Sequence, residues 1–285
     1  MSNQRFQMMT ERQRKFREQY RAAISRWYSG WVHIGVMYTA GLAGIWYCVS
    51  QLQDARWEWL LLVPVLIAGN FGEWAMHKYV MHRLIDVFAL RAIYDRHTRQ
   101  HHQYFTDNEA TIDTVREFRI VFFPWRVLIV LATFGVLFGW LASVLINPNA
   151  GYIVFIGMIA HYVVYETFHF CCHVHDNWFV RNMPFVNTIR RHHIAHHNMG
   201  IMMHVNMNLT FPIADWFLNT SDLKRGLLGH LFNGYSNEHV KPELKPVIER
   251  FRTSETQDKR VTLDGPQLSH DELRTLASAG GHVAV

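Results

Sequence analysis

Charge is scarce in this chain. Of 285 residues, 18% are Asp, Glu, Lys or Arg, against roughly 25% in a typical soluble domain. Apolar residues make up 49%, so disorder over the whole length is excluded and a sizeable core can be buried. Cysteine is scarcer still: there are three, and Cys171 and Cys172 are adjacent. That excludes a disulfide-stapled secreted scaffold. No glycine-rich phosphate loop, paired-acid motif or nucleophile elbow is present. Basic residues are not interleaved with aromatics in a stripe, so nucleic acid is not expected as a partner. The N-terminus is too polar for a cleavable signal peptide, and no internal repeat stands out beyond a loose duplication described below. The excess is in histidine, with 19 residues. Twelve of them fall in two windows, His77–His102 and His169–His197.

Charge is absent altogether from long stretches. Val32–Ser50 runs 19 residues and Val127–Ile146 runs 20 without a charged side chain. Trp59–Met76 holds only Glu73, and the shorter Tyr152–Phe168 holds His161 and Glu166. A helix that crosses a bilayer needs about 20 mainly apolar residues, whereas soluble-core helices usually keep a polar stripe. Four transmembrane helices are therefore expected, in two hairpins turned by Gln51–Glu58 and by the helix breakers of Asn147–Gly151. The net charge is +5, and its basic residues are placed unevenly. The tail before Val32 holds seven basic residues against two acidic ones, and Lys78–Ile120 also holds seven. Basic flanks remain in the cytoplasm, so both termini and the middle segment are expected there. The expected organisation is a basic cytoplasmic or interfacial tail over 1–30, a membrane-embedded domain over 31–250 and a polar, mobile tail over 251–285. In the first tail Phe16, Tyr20, Ile24 and Trp27 recur at helical spacing, as in a helix lying on a bilayer. In the last, Ser269 and Glu272 read as a capping box.

With that topology both histidine windows open where an even-numbered span leaves the membrane. The fold expected is an all-α integral membrane protein with a cytoplasmic histidine-rich helical cap. Residues three or four apart share a helix face, so His97/His101, His169/His173 and His193/His196/His197 can each aim imidazoles at one point. His77 and His82 are five apart and can share a metal only if the helix ends or bulges there. Imidazole suits iron, zinc, copper and nickel. Ten or eleven histidines exceed the needs of one ion and suit two, with about five donors each. Glu73 precedes His77 by four and Glu166 precedes His169 by three, spacings at which a carboxylate can orient a metal-bound ring. His33 and His161 are expected to bond to helix neighbours. His204, His230, His239, His270 and His282 are expected at the surface, His175 lacks a helical partner, and Cys171 and Cys172 are expected as small buried thiols.

The histidines form boxes in the order HxxxxH, HxxxHH, HxxxH and HxxHH. Two hydrophobic hairpins, each followed by such boxes, resemble the membrane-bound fatty acid hydroxylase/sterol desaturase superfamily, most of all its fatty acid 2-hydroxylase branch. RRHHIAHHN and the later IADWFLNT are similar to the last box of that branch and its aspartate-containing stretch, and the likeness covers about residues 60–222. His192 stands where a tyrosine is common, and Asn219 where a glycine is common. The resemblance implies metal ligands at His77, His82, His97, His101, His102, His169, His173, His193, His196 and His197, with His192 as a further candidate. It implies an O₂-dependent di-iron oxidoreductase that hydroxylates an unactivated C–H bond of a membrane lipid, whether fatty acyl, sterol or related. Two iron ions, replaceable by zinc, and O₂ as co-substrate are implied. Electrons are expected from an external cytochrome b5- or ferredoxin-type donor, and the host membrane is expected to be a bacterial inner membrane or the endoplasmic reticulum. The residues also leave open desaturation on the same site, a zinc-dependent membrane hydrolase and a non-catalytic metal-handling membrane protein.

Overall fold

In the computed structural model, which describes residues 9–252, the chain is helical. Among the described residues the only extended pairing is an isolated bridge between Leu223 and Val240. Eight helices carry the description: α1 (Glu11–Ala23), α2 (Gly30–Ser50), α3 (Leu62–Met76), α4 (Phe88–Arg96), α5 (Trp125–Leu145), α6 (Pro148–His173), α7 (Val186–His196) and α8 (Lys245–Arg252). Four stretches are long and apolar enough to cross a membrane: α2, α3 with its flanking turns (Trp57–Met81), α5 and α6. Their outer faces are apolar, with Trp46, Leu60, Val136 and Leu145 exposed. In a soluble protein that much exposed apolar surface would drive aggregation; in a bilayer it is the required finish.

The fourth span differs from expectation at both ends. Asn147–Gly151 is not all turn. Asn147 caps α6 by accepting the Ala150 N–H at 3.0 Å, and Pro148 starts the helix. An N1 proline loses nothing there, because that N–H has no helical partner. α6 then runs 26 residues, past Phe168 to His173, so one rod carries both lipid-level and histidine-level side chains. It packs against α2, α3 and α5, whereas α2 and α3 scarcely meet each other. α5 and α6 approach most closely at Gly139 and Gly151. A Cβ at Gly139 would stand 2.8 Å from the Gly151 carbonyl oxygen, a gap only glycine allows.

The tail expected over 1–30 is, from Thr10 onward, part of the packed structure. Arg17 of α1 is buried, donating to the Thr111 carbonyl at 2.7 Å and pairing with Asp113 at 3.3 Å. Gln13 donates to the Tyr104 and Glu109 carbonyls at 2.9 and 2.8 Å. Burying such groups requires this pairing. Tyr20 and Ile24 join Met37, Tyr104, Phe105, Ile120, Phe122 and Ile159 in the main core, which sits between α1, α2, α6 and the 104–122 segment. Trp27 alone of the expected stripe is left exposed. The Ser269/Glu272 box, His270, His282 and the tail beyond Arg252 lie outside the described residues.

Candidate metal centre

Two turns of the backbone are wider than an α-helix. His77–Met81 and His97–His101 are π-helical, closed by N–H bonds from His82 to the His77 carbonyl and from His102 to the His97 carbonyl. A turn closed at i→i+5 brings residues five apart onto one face. His77 and His82 therefore meet through a bulge, one of the two routes open to them. The same device separates His97 from His101 and pairs it with His102, against the i,i+4 expectation. His193, His196 and His197 likewise do not share one point.

The imidazoles sort into two buried groups whose candidate ligand atoms lie within 4.8 Å of one another: His77, His82, His97, His102 and His196, then His101, His173, His193 and His197. His169 stands beside the second group, its Nε2 3.3 Å from that of His101. The neighbours His101/His102 and His196/His197 are split between the groups. Across the divide the rings of His102 and His197 lie 4.4 Å apart.

Backbone carbonyls fix which nitrogen faces inward. Nδ1 contacts Met207 O from His77, Ile120 O from His101 at 3.2 Å, Ala110 O from His173 at 2.7 Å, Val205 O from His196 at 2.9 Å and Phe105 O from His197 at 3.0 Å. Thr98 Oγ1 donates to Met81 O at 2.6 Å and so accepts from His82 Nδ1 at 3.3 Å. A carbonyl accepts only, so each of these Nδ1 atoms holds the proton and each Nε2 presents a lone pair. Yet Nε2 of His82 lies 2.9 Å from that of His196 and 3.2 Å from that of His77. Three lone pairs converge with no hydrogen among them, an arrangement that repels unless a cation stands between. Burial and neighbouring imidazoles hold His82, His97, His102, His193 and His196 well below the ordinary histidine range. Burial does the same for His101 and His197. Neutral rings offer their lone pairs to a metal without first losing a proton.

The spacings also carry a shape. Two nitrogens about 2.1 Å from one ion lie about 3.0 Å apart at a right angle and about 3.4 Å apart at the tetrahedral angle. In the first group the remaining contacts are 2.9 Å for His77–His97 and 3.1 Å for His97–His102. In the second, His193 stands 3.1 Å from His173 and 3.0 Å from His197. With 3.2 Å for His77–His82 and 3.3 Å for His101–His169, these span the range expected of donors that could share an ion.

Several sequence expectations are corrected here. His192 faces away from both groups, its Nε2 2.9 Å from Asp215 Oδ2. Glu73 does not touch His77. Its oxygens accept from the Thr210 N–H at 3.0 Å and hydroxyl at 2.7 Å and lie 3.1 Å from His161 Nε2. Glu166 does not touch His169 but accepts the Phe123 N–H at 3.1 Å. Both carboxylates brace loops rather than the rings of the two histidine groups. His33 bonds Tyr28 and the Phe123 carbonyl, while His175 is exposed beside Asp113. His204 and His239 are half-buried, and His230 is buried rather than on the surface. Cys171 and Cys172 are buried free thiols, as expected.

The polar scaffold behind α7 drew no attention in the sequence beyond the stretch around Asp215. Arg191 makes a two-pronged bond to Asp222 at 2.7 and 2.6 Å. Asp215 accepts from His192, the Asn208 N–H and Thr220, which outweigh burial and hold its carboxyl below the ordinary range. These bonds set the 205–209 loop, whose carbonyls at Val205 and Met207 orient His196 and His77. No protein-family model matches the chain, and no curated protein or solved structure matches it.

Proposed function

We propose that this chain is a membrane-bound di-iron oxygenase that hydroxylates an unactivated C–H bond of a membrane lipid, of the kind its histidine boxes resemble. The observation that carries the reading is the division of neighbouring histidines between two adjoining all-imidazole groups at one end of four membrane-length helices. Two close ions serve a reaction at one substrate; a single structural ion needs four donors. Imidazole donors accept iron or zinc alike, and the assignment of iron rests on the resemblance of the histidine boxes.

His77, His82, His97, His102 and His196 would hold one ion, and His101, His169, His173, His193 and His197 the other. When bound, the irons supply the activation of O₂ with electrons from an external cytochrome b5- or ferredoxin-type donor. The protein's own share is different. Backbone carbonyls keep each Nδ1 protonated and each Nε2 aimed inward, buried side chains exclude water, and the spans keep an acyl or sterol body in the bilayer while its end reaches the histidines. The basic flanks favour a cytoplasmic centre, in a bacterial inner membrane or the endoplasmic reticulum.

Desaturation on the same site is the nearest alternative, because both reactions begin with hydrogen abstraction. A hydrolase needs fewer donors than are gathered here, and a transporter would hold its ligands near the bilayer midplane rather than at one end. The test is lipid profiling of cells with and without the chain. A lipid species heavier by one oxygen is expected; loss of two hydrogens instead would assign desaturation, and an unchanged profile would overturn the proposal.

A further inference from the structure

A second site lies outside the histidine groups. The short helix Ile213–Phe217 and the segments around 219–230 and 241 enclose a cleft of about 150 Å³, room for roughly ten waters at about 15 Å³ each. Three cations line it: Lys224, Arg225 and Lys241. Lys241 Nζ is steadied by Asn219 Oδ1 at 2.9 Å, and Arg225 by Asn233 Oδ1 at 3.0 Å. Asn219 takes φ 55, a left-handed conformation that asparagine tolerates better than most residues and glycine best. The one carboxylate in the lining, Asp215, already accepts from His192, Asn208 and Thr220.

His230 supplies an independent observation. It lines the cleft, is 2% exposed, and its Nε2 is buried with no hydrogen-bond partner. Its Nδ1 lies 3.1 Å from the Gly226 carbonyl and so holds the proton, which leaves Nε2 as an acceptor awaiting a donor. A buried polar atom without a partner is destabilising unless something satisfies it.

The cleft also adjoins the histidine end of α3, one of the helices long and apolar enough to cross a membrane. Trp74 of α3 donates to Thr220 at 2.8 Å, and Phe71 of α3 packs on Phe217 at 5.6 Å between ring centres. Trp216, Phe217 and Leu218 are exposed beside the opening. Apolar side chains at this depth suit acyl chains, and cations just beyond them suit lipid phosphates.

We infer that this cleft binds a phosphate head group that carries a hydroxyl, with the phosphate on Lys224, Arg225 and Lys241 and the hydroxyl donated to His230 Nε2. The source is a membrane lipid whose tails run along Trp216 and Phe217. The site does not depend on the reading of the histidine groups, and no chemistry occurs there.

The test titrates the purified full chain with dioctanoyl phosphatidylglycerol, dioctanoyl phosphatidylcholine or glycerol 3-phosphate, counting bound molecules by native mass spectrometry. One phosphatidylglycerol per chain is expected, with choline lipid and glycerol 3-phosphate each at least about tenfold weaker. Lys224→Ala combined with Lys241→Ala should weaken phosphatidylglycerol about tenfold or more, since each change removes a charge-assisted bond to the phosphate. Lys224 is exposed and Lys241 half-buried, and near-UV circular dichroism checks that the fold is kept. His230→Phe removes the acceptor and should weaken phosphatidylglycerol while leaving dioctanoyl phosphatidic acid methyl ester, which has no hydroxyl, unchanged. Lys15→Ala, on the exposed side of α1, should change nothing. Equal binding of choline lipid, or full binding by the double variant, would overturn the site. Glycerol 3-phosphate binding as tightly as the lipid would overturn the membrane source and assign a soluble phosphate ester.

Discussion

His197 follows His196 by one peptide bond, yet the two rings serve different groups. Its Nδ1 is held by the Phe105 carbonyl and its Nε2 lies 3.0 Å from that of His193. His197→Ala removes one donor and leaves a buried carbonyl short of a partner, a cost of about 1–3 kcal/mol. No span depends on that ring. The variant is expected to insert and accumulate, to lose oxygenated lipid product, and to hold fewer than two metals per chain by elemental analysis. His270→Ala, outside the histidine windows, should leave both readouts unchanged. Full turnover by His197→Ala would remove the shared-centre reading. At this scale the sequence showed which residue types gather, and that the neighbours His101/His102 and His196/His197 point about 100° apart and can serve different ions, but not how the rest sort. His97/His101 looked like a pair because four is the spacing of an α-helix, and nothing in HTRQHH announces a π-turn. The roles of Glu73 and Glu166 were equally hidden, because their partners, Thr210 and Phe123, are 137 and 43 residues away.

Among the elements, α6 carries the widest duty, since it packs on the other three spans and ends in His169 and His173. Its closest contact is with α5, where Gly139 and Gly151 bring backbone to backbone. Gly139→Val places atoms where the Gly151 carbonyl already sits. The expected effect is a destabilisation of about 1–3 kcal/mol by overpacking, seen as a lower melting temperature in detergent, with weakened metal retention because α6 shifts. Gly35→Val is the control, as a Cβ there meets nothing within 4 Å. An unchanged melting temperature for Gly139→Val would mean that the helices yield without cost. The spans were legible because freedom from charge over about 20 residues is a local property. The extension of α6 beyond Phe168 was less so, because polar His169 and His173 look like a membrane exit when they are in fact buried against other histidines. Docking of α1 was hidden for a related reason: a helix rich in arginine with an apolar stripe reads as lying on the bilayer until Asp113 and Glu117 are placed opposite it.

For the whole molecule, the proposed orientation, with the segments flanking the four candidate spans on the cytoplasmic side, rests on the basic flanks and the even number of spans. A reporter fused after Glu255 should read cytoplasmic, and one inserted after Gln53 should read on the opposite face; the reverse pattern would overturn the orientation. The pairs His101/His102 and His196/His197 have a consequence for how such a centre fills. An ion that gathers the first group fixes the backbone at residues 102 and 196, and that backbone is bonded directly to the donors of the second. The conformational entropy needed to order the second set has then largely been spent, so the second ion enters a site already assembled, and by reciprocity each ion strengthens the other. Metal titration should therefore be cooperative. Empty and doubly loaded chains should dominate at half saturation, and a centre that loses one ion should soon lose both.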